Sequence, residues 1–147
     1  MKILVLVKEI GQGGVETLLK NVSKEFEKKG HKIDIFSRND NLGIKSFANS
    51  VFSLRKKIKE IMKEKNYDII YTQDWNMAFP LLFPYPIFKR NHFCFFHATQ
   101  KGKGFFIQFL VGSLIGKRLL TGDIRNNKRY KKSTLVATSV NMNDFKP

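Results

Sequence analysis

Short apolar runs alternate with amphipathic segments along this chain, which predicts an open α/β fold. The first run, residues 3–7, is short, consists of Ile, Val and Leu, and is followed by glycines. This pattern is typical of a strand buried on both faces of a parallel sheet. Apolar residues then recur at helical spacing opposite lysines and glutamates: Val15, Leu18, Leu19, Val22 and Phe26. Gly30 ends this helix, and residues 33–36 begin a second strand. A strand–turn–helix–strand unit of this kind opens a Rossmann-like, mostly parallel sheet with helices on both faces.

The alternation continues to the end of the chain. Residues 38–50 are polar and are predicted to form a loop. Prolines at 80, 84 and 86 prevent one long helix over residues 77–88, so a short helix followed by a wide loop is predicted. Residues 105–115 form an apolar helix that Lys103 and Lys117 bound too closely for a membrane span. The remaining strands are predicted at residues 67–72, 92–96 and 134–139.

A glycine-rich turn follows the first strand and points to a ligand. Gly11, Gly13 and Gly14 let backbones approach closely, and the free N–H groups of the next helical turn attract an anion such as phosphate. The spacing differs from the dinucleotide-binding and P-loop patterns. Glu16 favours the helix dipole but repels a phosphate placed too close. A tight turn without any ligand is the alternative interpretation.

A second amphipathic helix is strongly basic. Its apolar stripe includes Leu54 and Ile58, and lysines together with Arg55 form the opposite side. Such a helix either covers the sheet, which is the commoner arrangement, or lies on an anionic membrane. The sequence pattern alone allows both.

Composition narrows the class of protein. A chain of 147 residues with 42% hydrophobic residues predicts one globular domain. Cys94 is the only cysteine, which excludes an internal disulfide and fits a reducing compartment; its apolar surroundings predict an inert buried thiol. No secretory signal precedes the first strand. We therefore predict a cytoplasmic protein.

The net charge of +15, from 27 basic and 12 acidic residues, favours polyanionic partners: an anionic membrane, phosphorylated substrates or nucleic acid. High lysine content also serves solubility alone. Nucleic acid is the weakest of these, because Tyr130 is the single aromatic residue in the basic segment 117–132 and base stacking needs several. The sequence has no pair of catalytic carboxylates suited to glycoside hydrolysis and no Cys/His cluster for a metal.

Residues 13–19 and 28–36 carry a Gly-Gly-x-Glu loop, a helix and a Gly-His-x-Ile-x-Ile strand. This combination resembles the N-terminal domain of the family 4 glycosyltransferases, which are retaining, nucleotide-sugar-dependent enzymes of the GT-B type. The resemblance implies that residues 1–147 are a single acceptor-side domain, the N-terminal half of a GT-B fold, without the C-terminal donor-binding domain. Residues 139–147 resemble the linker into that second domain, as an alternative to ending a fifth strand. The resemblance also implies no cofactor and no metal.

The same resemblance implies a set of site residues. Gly13 and Gly14 would approach the donor diphosphate or the transferred sugar, and His97 would be the catalytic residue that aligns sugar and acceptor. Asp74 and Trp75 match the family's Asp-Trp pair, so Asp74 would bind a substrate hydroxyl, or else cap the following helix. Gln73 departs from the family pattern, which often has histidine there. Thr99 and Lys101, in the turn after His97, would bind phosphate; a purely structural role for this isolated histidine is the alternative.

Two functions follow as expectations. The first is an acceptor-side glycosyltransferase domain, inactive without a donor-binding domain, with a nucleotide sugar and a sugar or lipid-linked acceptor as substrates and a second donor-binding polypeptide as partner. The second is a non-catalytic subunit that recruits a partner to an anionic membrane through the helix around Leu54 and Ile58. Either protein would be cytoplasmic or peripheral on the inner membrane face.

Overall fold

Six parallel strands form one open sheet in the order β2-β1-β3-β4-β5-β6. This computed structural model describes residues 1–10, 14–39, 47–87, 91–97, 103–122, 128–130 and 132–136. The strands are β1 (Lys2–Val7), β2 (Lys32–Ser37), β3 (Ile69–Gln73), β4 (His92–Phe96), β5 (Leu119–Thr121) and β6 (Thr134–Leu135). The predicted Rossmann-like α/β fold with an open parallel sheet is confirmed.

The strand order places a crevice between β1 and β3. From β1 the chain adds β2 on one side, and then returns to add β3 and the later strands on the other side. Segments that leave the carboxyl ends of β1 and β3 therefore run in opposite directions. In open α/β sheets, ligands bind outside the carboxyl ends at this point.

Three helices cover one face of the sheet: α2 (Phe47–Glu64), α3 (Trp75–Leu82) and α4 (Lys103–Ile115). Even-numbered residues of the first strands, such as Leu4 and Leu6, point to this face and pack against Leu54 and Ile58 of α2. A second cluster joins α3 and α4 to β4 and β5. None of the described helices is both long and apolar enough to cross a bilayer.

Helix α1 (Gly14–Lys28) packs on the opposite face. Leu19 is buried there against Ile3, Val5 and Val7, and Gly30 ends the helix with φ of +77°, as predicted. Helix α1 covers only part of this face, so a cavity of about 470 Å³ lies beside it, lined almost wholly by apolar side chains. Val22 and Phe26, which belong to the predicted apolar stripe of this helix, line the cavity and stay partly exposed.

The basic helix α2 covers the sheet. Leu54 and Ile58 are completely buried, so neither can touch a membrane in the folded protein. Arg55, predicted to lie on a cationic face, is buried as well: its guanidinium donates to the carbonyl oxygens of Pro80 (2.7 Å), Phe83 (2.7 Å) and Tyr85 (2.6 Å). These carbonyls end α3 or follow it, and a helix end leaves such groups without intrahelical partners. Arg55 therefore has a structural role that the charge pattern did not reveal.

Strand β5 was missed by the sequence analysis, which assigned residues 117–132 only as a basic segment. Its three residues pair with β4 in parallel register, and the Gly122 N–H donates to the Phe96 carbonyl at 3.2 Å. So short a strand is stabilised by its neighbour rather than by a local pattern. Further differences concern bounds: α2 begins at Phe47, inside the predicted loop, and β3 spans Ile69–Gln73 instead of residues 67–72. Strand β6 covers Thr134–Leu135, and residues 137–139 of that predicted strand lie outside the described part of the chain.

Candidate functional site

Three predicted site residues lie at one edge of the sheet. Strands β1, β3 and β4 end at Val7, Gln73 and Phe96, and because all strands are parallel, the segments that follow them leave from the same edge. Gly14 begins α1 after β1, Asp74 follows β3, and His97 follows β4. Strands β1 and β4 are two spacings apart, about 9–10 Å. Gly13, Thr99 and Lys101 lie outside the described residues.

His97 is a half-buried, neutral imidazole at this edge. Its ring packs edge-on against Phe95, with ring centroids 4.6 Å apart, and Phe95 belongs to the sheet face that α1 covers in part. Burial lowers the pKa of His97 below its usual value. Its Nε2 atom is buried and has no hydrogen-bond partner within the described part of the chain. A buried, unpaired ring nitrogen is rare unless a ligand or an ordered water satisfies it.

Gln73, at the same edge, shares this property with His97. It is the last residue of β3, and its register partner on β4 is Phe95. The side chain is only 4% exposed, yet among described residues neither amide atom has a partner with normal hydrogen-bond geometry. Tyr71 lies two residues earlier on the same face. Burial raises the pKa of Tyr71, and the nearby Gln73 amide opposes this shift with a smaller effect. Leaving a buried polar group unpaired costs about 1–3 kcal/mol.

The sequence analysis treated Gln73 only as a departure from a family pattern. A signal was present, because a polar residue follows the buried run at the carboxyl end of a parallel strand, where ligands bind. What the pattern did not show is that the amide would be buried without a partner.

Asp74 holds a strained backbone at the same edge. Its φ of 74° and ψ of 159° fall in a region that is essentially restricted to glycine and costs about 1–3 kcal/mol. One carboxylate oxygen accepts the Trp75 N–H at 2.8 Å and so caps α3, the alternative role predicted for it. Burial raises the pKa of Asp74, while the Trp75 N–H and the Lys8 ammonium act in the opposite direction. Substrate binding by Asp74 stays a prediction.

A linked group of polar side chains closes the edge beside β1 and β2. The Asn39 backbone N–H donates to the Lys8 carbonyl at 2.9 Å, and its side-chain amide donates to the Glu9 carboxylate at 2.8 Å. The Arg38 Nε donates to the Asn39 side-chain oxygen at 3.3 Å. Burial lowers the pKa of Arg38, and the Glu9 charge opposes that shift. A buried guanidinium at this edge, within the predicted loop, was not foreseen.

The described residues contain no group of three or more His, Cys, Asp or Glu side chains placed to hold a metal ion. Cys94 is buried, as predicted, and burial raises the pKa of its thiol. Its Sγ lies 3.7 Å from the Asp74 carbonyl oxygen. Cys94 thus supports the β3–α3 junction and offers no reactive thiolate.

No protein-family model matches this chain. A search of curated proteins also finds no match. The resemblance to glycosyltransferases therefore rests on the sequence motifs alone.

Proposed function

We propose that this chain is the acceptor-side domain of a nucleotide-sugar-dependent glycosyltransferase, and that turnover requires a donor-binding domain on the same or a second polypeptide. One observation carries the proposal: at the carboxyl edge, Gln73 and His97 both have buried polar atoms for which the described residues supply no hydrogen-bond partner. The N-terminus of α1 lies at that edge as well.

The groups at this edge suit a sugar phosphate. The N–H groups of the first turn of α1 and the helix dipole favour a phosphate or diphosphate. Sugar hydroxyls both donate and accept hydrogen bonds, and the Gln73 amide offers a donor and an acceptor. His97, with its lowered pKa, remains a neutral hydrogen-bond partner near pH 7. The overall positive charge of the chain, +15, raises the local concentration of anionic donors.

The proposed chemistry depends on alignment. One carboxylate oxygen of Asp74 caps α3, and the proposal assigns contact with the reacting groups to His97. Holding donor and acceptor in reactive geometry lowers the barrier, and fixed dipoles stabilise an oxocarbenium-like transition state. The proposed donor is a nucleotide sugar and the proposed acceptor is a sugar or a lipid-linked sugar; neither a metal nor another cofactor is part of the proposal.

The test is nuclear magnetic resonance of the labelled chain titrated with UDP-glucose and GDP-mannose. We expect amide shifts to change at the carboxyl edge, around residues 14–17, 72–75 and 95–97. The variant Gln73→Met removes the unpaired amide at similar volume and should weaken binding at least about tenfold, or 1.4 kcal/mol. His97→Ala should do the same.

His31→Ala is the matched control, because His31 precedes β2 at the amino edge and should leave binding unchanged. Shift changes confined to the amino edge, or none at millimolar nucleotide sugar with the protein folded, would overturn the proposal. Robust sugar transfer by the purified 147 residues would refute the need for a second domain.

The alternative, a non-catalytic membrane-recruiting or partner-binding subunit, is not favoured in the form predicted from α2. Leu54 and Ile58 are in the core, so recruitment to a membrane would need another surface. A cytoplasmic location, or one peripheral on the inner membrane face, is part of these proposals.

A further inference from the structure

We infer that α4 forms a docking surface for an anionic lipid bilayer and lies flat in the interface between head groups and acyl chains. The inference is independent of sugar transfer, since it needs no nucleotide sugar. It also assigns a different surface from the α2 stripe considered above.

Helix α4 is apolar on nearly every side. No charged residue occurs between Gly104 and Gly116, and the helix has almost no amphipathic asymmetry. One side fits the core: Val111 and Ile115 are buried against β4 and β5, and a Cβ placed on Gly112 would lie 2.5 Å from the Tyr130 ring. The core thus accounts for one side of the helix only.

The opposite side leaves large apolar side chains in contact with solvent. Phe106 is 68% exposed, Leu114 50% and Phe109 43%. The rings of Phe105 and Phe109 stack, with centroids 6.4 Å apart, so the apolar surface is continuous over the first turns of the helix. Contiguous exposed apolar surface of this kind marks an interaction site. We call these four residues, Phe105, Phe106, Phe109 and Leu114, the α4 patch.

Cations border the α4 patch. The Arg129 guanidinium lies 4.5 Å from the Phe105 ring centroid. Lys117 is exposed just after the end of α4, and Lys128 is exposed next to Arg129 in the sequence. None of the ion pairs in the described ranges involves these three residues. After Asp74 the sequence has twelve lysines and arginines against two acidic residues, Asp123 and Asp144. The half of the chain that contains the patch therefore carries most of the net positive charge, +10 of +15.

The positive charge around the α4 patch indicates which partner binds there. A second copy would bring the same cations against this border, and two chains of net charge +15 repel each other. An anionic bilayer offers both complements, acyl chains for the aromatic rings and head-group phosphates for Lys117, Lys128 and Arg129. The helix has 13 residues and is about 20 Å long, which suits a helix lying in the interface.

The topology places this surface near the candidate site. Strand β4 ends at Phe96 and α4 begins at Lys103, so the first turn of α4, with Phe105 and Phe106, starts from the same carboxyl edge as His97. A chain docked through the α4 patch would hold that edge close to the lipid head groups. The connection residues 98–102 lie outside the described part of the chain.

The experiment is flotation of the full chain with vesicles of phosphatidylcholine alone or with added phosphatidylglycerol. We expect binding to the anionic vesicles only, weakening as salt screens the charges. The double variant Phe106→Ser with Leu114→Ser should lower the partition coefficient at least about tenfold. Phe52→Ser is the matched control, because Phe52 is 75% exposed on α2 and away from the patch.

The contribution of the lysines and the depth to which α4 inserts into the bilayer can be tested separately. The variant Lys117→Glu with Lys128→Glu should weaken binding to anionic vesicles, whereas Lys63→Glu, an exposed lysine on α2, should have a smaller effect. In the variant Phe106→Trp, the fluorescence of the introduced indole should shift to shorter wavelength on anionic vesicles. Brominated acyl chains should quench this fluorescence. Absence of vesicle binding, or full binding by the double serine variant, would overturn the inference. A dimer that dissociates in that variant without any vesicle binding would instead assign the patch to self-association.

Discussion

At the scale of single residues, the carboxyl edge has two side chains whose buried polar atoms find no hydrogen-bond partner among the described residues. Gln73 and His97 are these residues, and a buried polar atom without a partner lowers the stability of a fold. Folded proteins tolerate such groups mainly where a ligand, a water molecule or catalysis requires them. This is why the two residues, rather than the glycine loop alone, carry the functional proposal.

His92, on the opposite face, predicts an acid-sensitive fold. Its Nε2 lies 3.0 Å from the Thr72 hydroxyl oxygen, and burial, together with the Arg118 charge, lowers the pKa of His92 to about 3 from an ordinary value of 6.5. The unfolded chain thus takes up this proton at a higher pH than the folded chain. The contribution of His92 to the free energy of unfolding is therefore fully present above about pH 6.5. It is lost as the pH falls towards 3, with a slope of at most about 1.4 kcal/mol per pH unit.

Urea unfolding at several pH values should show this loss, and His92→Gln should show a shallower slope than the unsubstituted chain below pH 6.5. The slope is the readout, so a moderate loss of stability in the variant does not obscure it. His31→Gln, a substitution at the amino edge, serves as the control. Equal slopes for all three proteins would show that His92 does not contribute.

At the scale of elements, the junction between β3 and α3 combines a helix cap with backbone strain. Asp74 N donates to the Phe95 carbonyl at 2.9 Å and so ties the junction to β4. Asp74 O accepts from the N–H groups of Met77 and Ala78, each at 3.3 Å. The neighbouring strand thus holds Asp74 in a conformation that a non-glycine residue otherwise avoids.

Two substitutions of Asp74 separate the cap from the strain. Asp74→Ala keeps the strain and loses the cap, so it should lower the free energy of unfolding by about 1 kcal/mol. Asp74→Gly also loses the side-chain cap but relieves about 1–3 kcal/mol of strain, offset by about 0.5–1 kcal/mol of backbone entropy. We expect the glycine variant to be the more stable of the two in urea unfolding. A glycine variant less stable than the alanine variant would mean that φ at this position is not strained.

Elements were predictable from sequence where local pattern and tertiary environment agree. Strand β4 occupies the predicted residues 92–96, and α4 contains all of the predicted residues 105–115, because long or strongly apolar runs have few alternatives. Strand β5 was missed because three residues between Arg118 and Gly122 are too few to show a periodicity, and only pairing with β4 makes them a strand. Arg55 was misassigned for the same reason, since its carbonyl partners lie 25–30 positions away in the sequence.

At the scale of the whole molecule, charge opposes folding. The chain carries a net charge of +15, and the ion pairs described are between exposed side chains, such as Lys28 with Glu25 and Lys57 with Glu60. Exposed pairs of this kind contribute little. Self-repulsion therefore acts against the compact state, and salt screens it.

Raising sodium chloride from 0.01 M to about 0.5 M shortens the Debye length from about 30 Å to below 10 Å. We expect the free energy of unfolding to rise by about 1 kcal/mol, which corresponds to about 2–4 °C in Tm for a chain of this size. The variant Lys128→Glu with Lys132→Glu, which lowers the net charge by four, should respond less to salt. A salt response that is absent, or equal in the two proteins, would contradict this explanation.

The sequence by itself determined the α/β class, the parallel sheet and the edge at which ligands are expected, because hydrophobic periodicity and glycine turns are local properties of the chain. Only the tertiary structure decided which polar groups are buried without a partner among the described residues, which side of α2 enters the core, and that α4 keeps Phe106 in solvent. Burial depends on neighbours from distant parts of the chain, which a linear pattern does not specify.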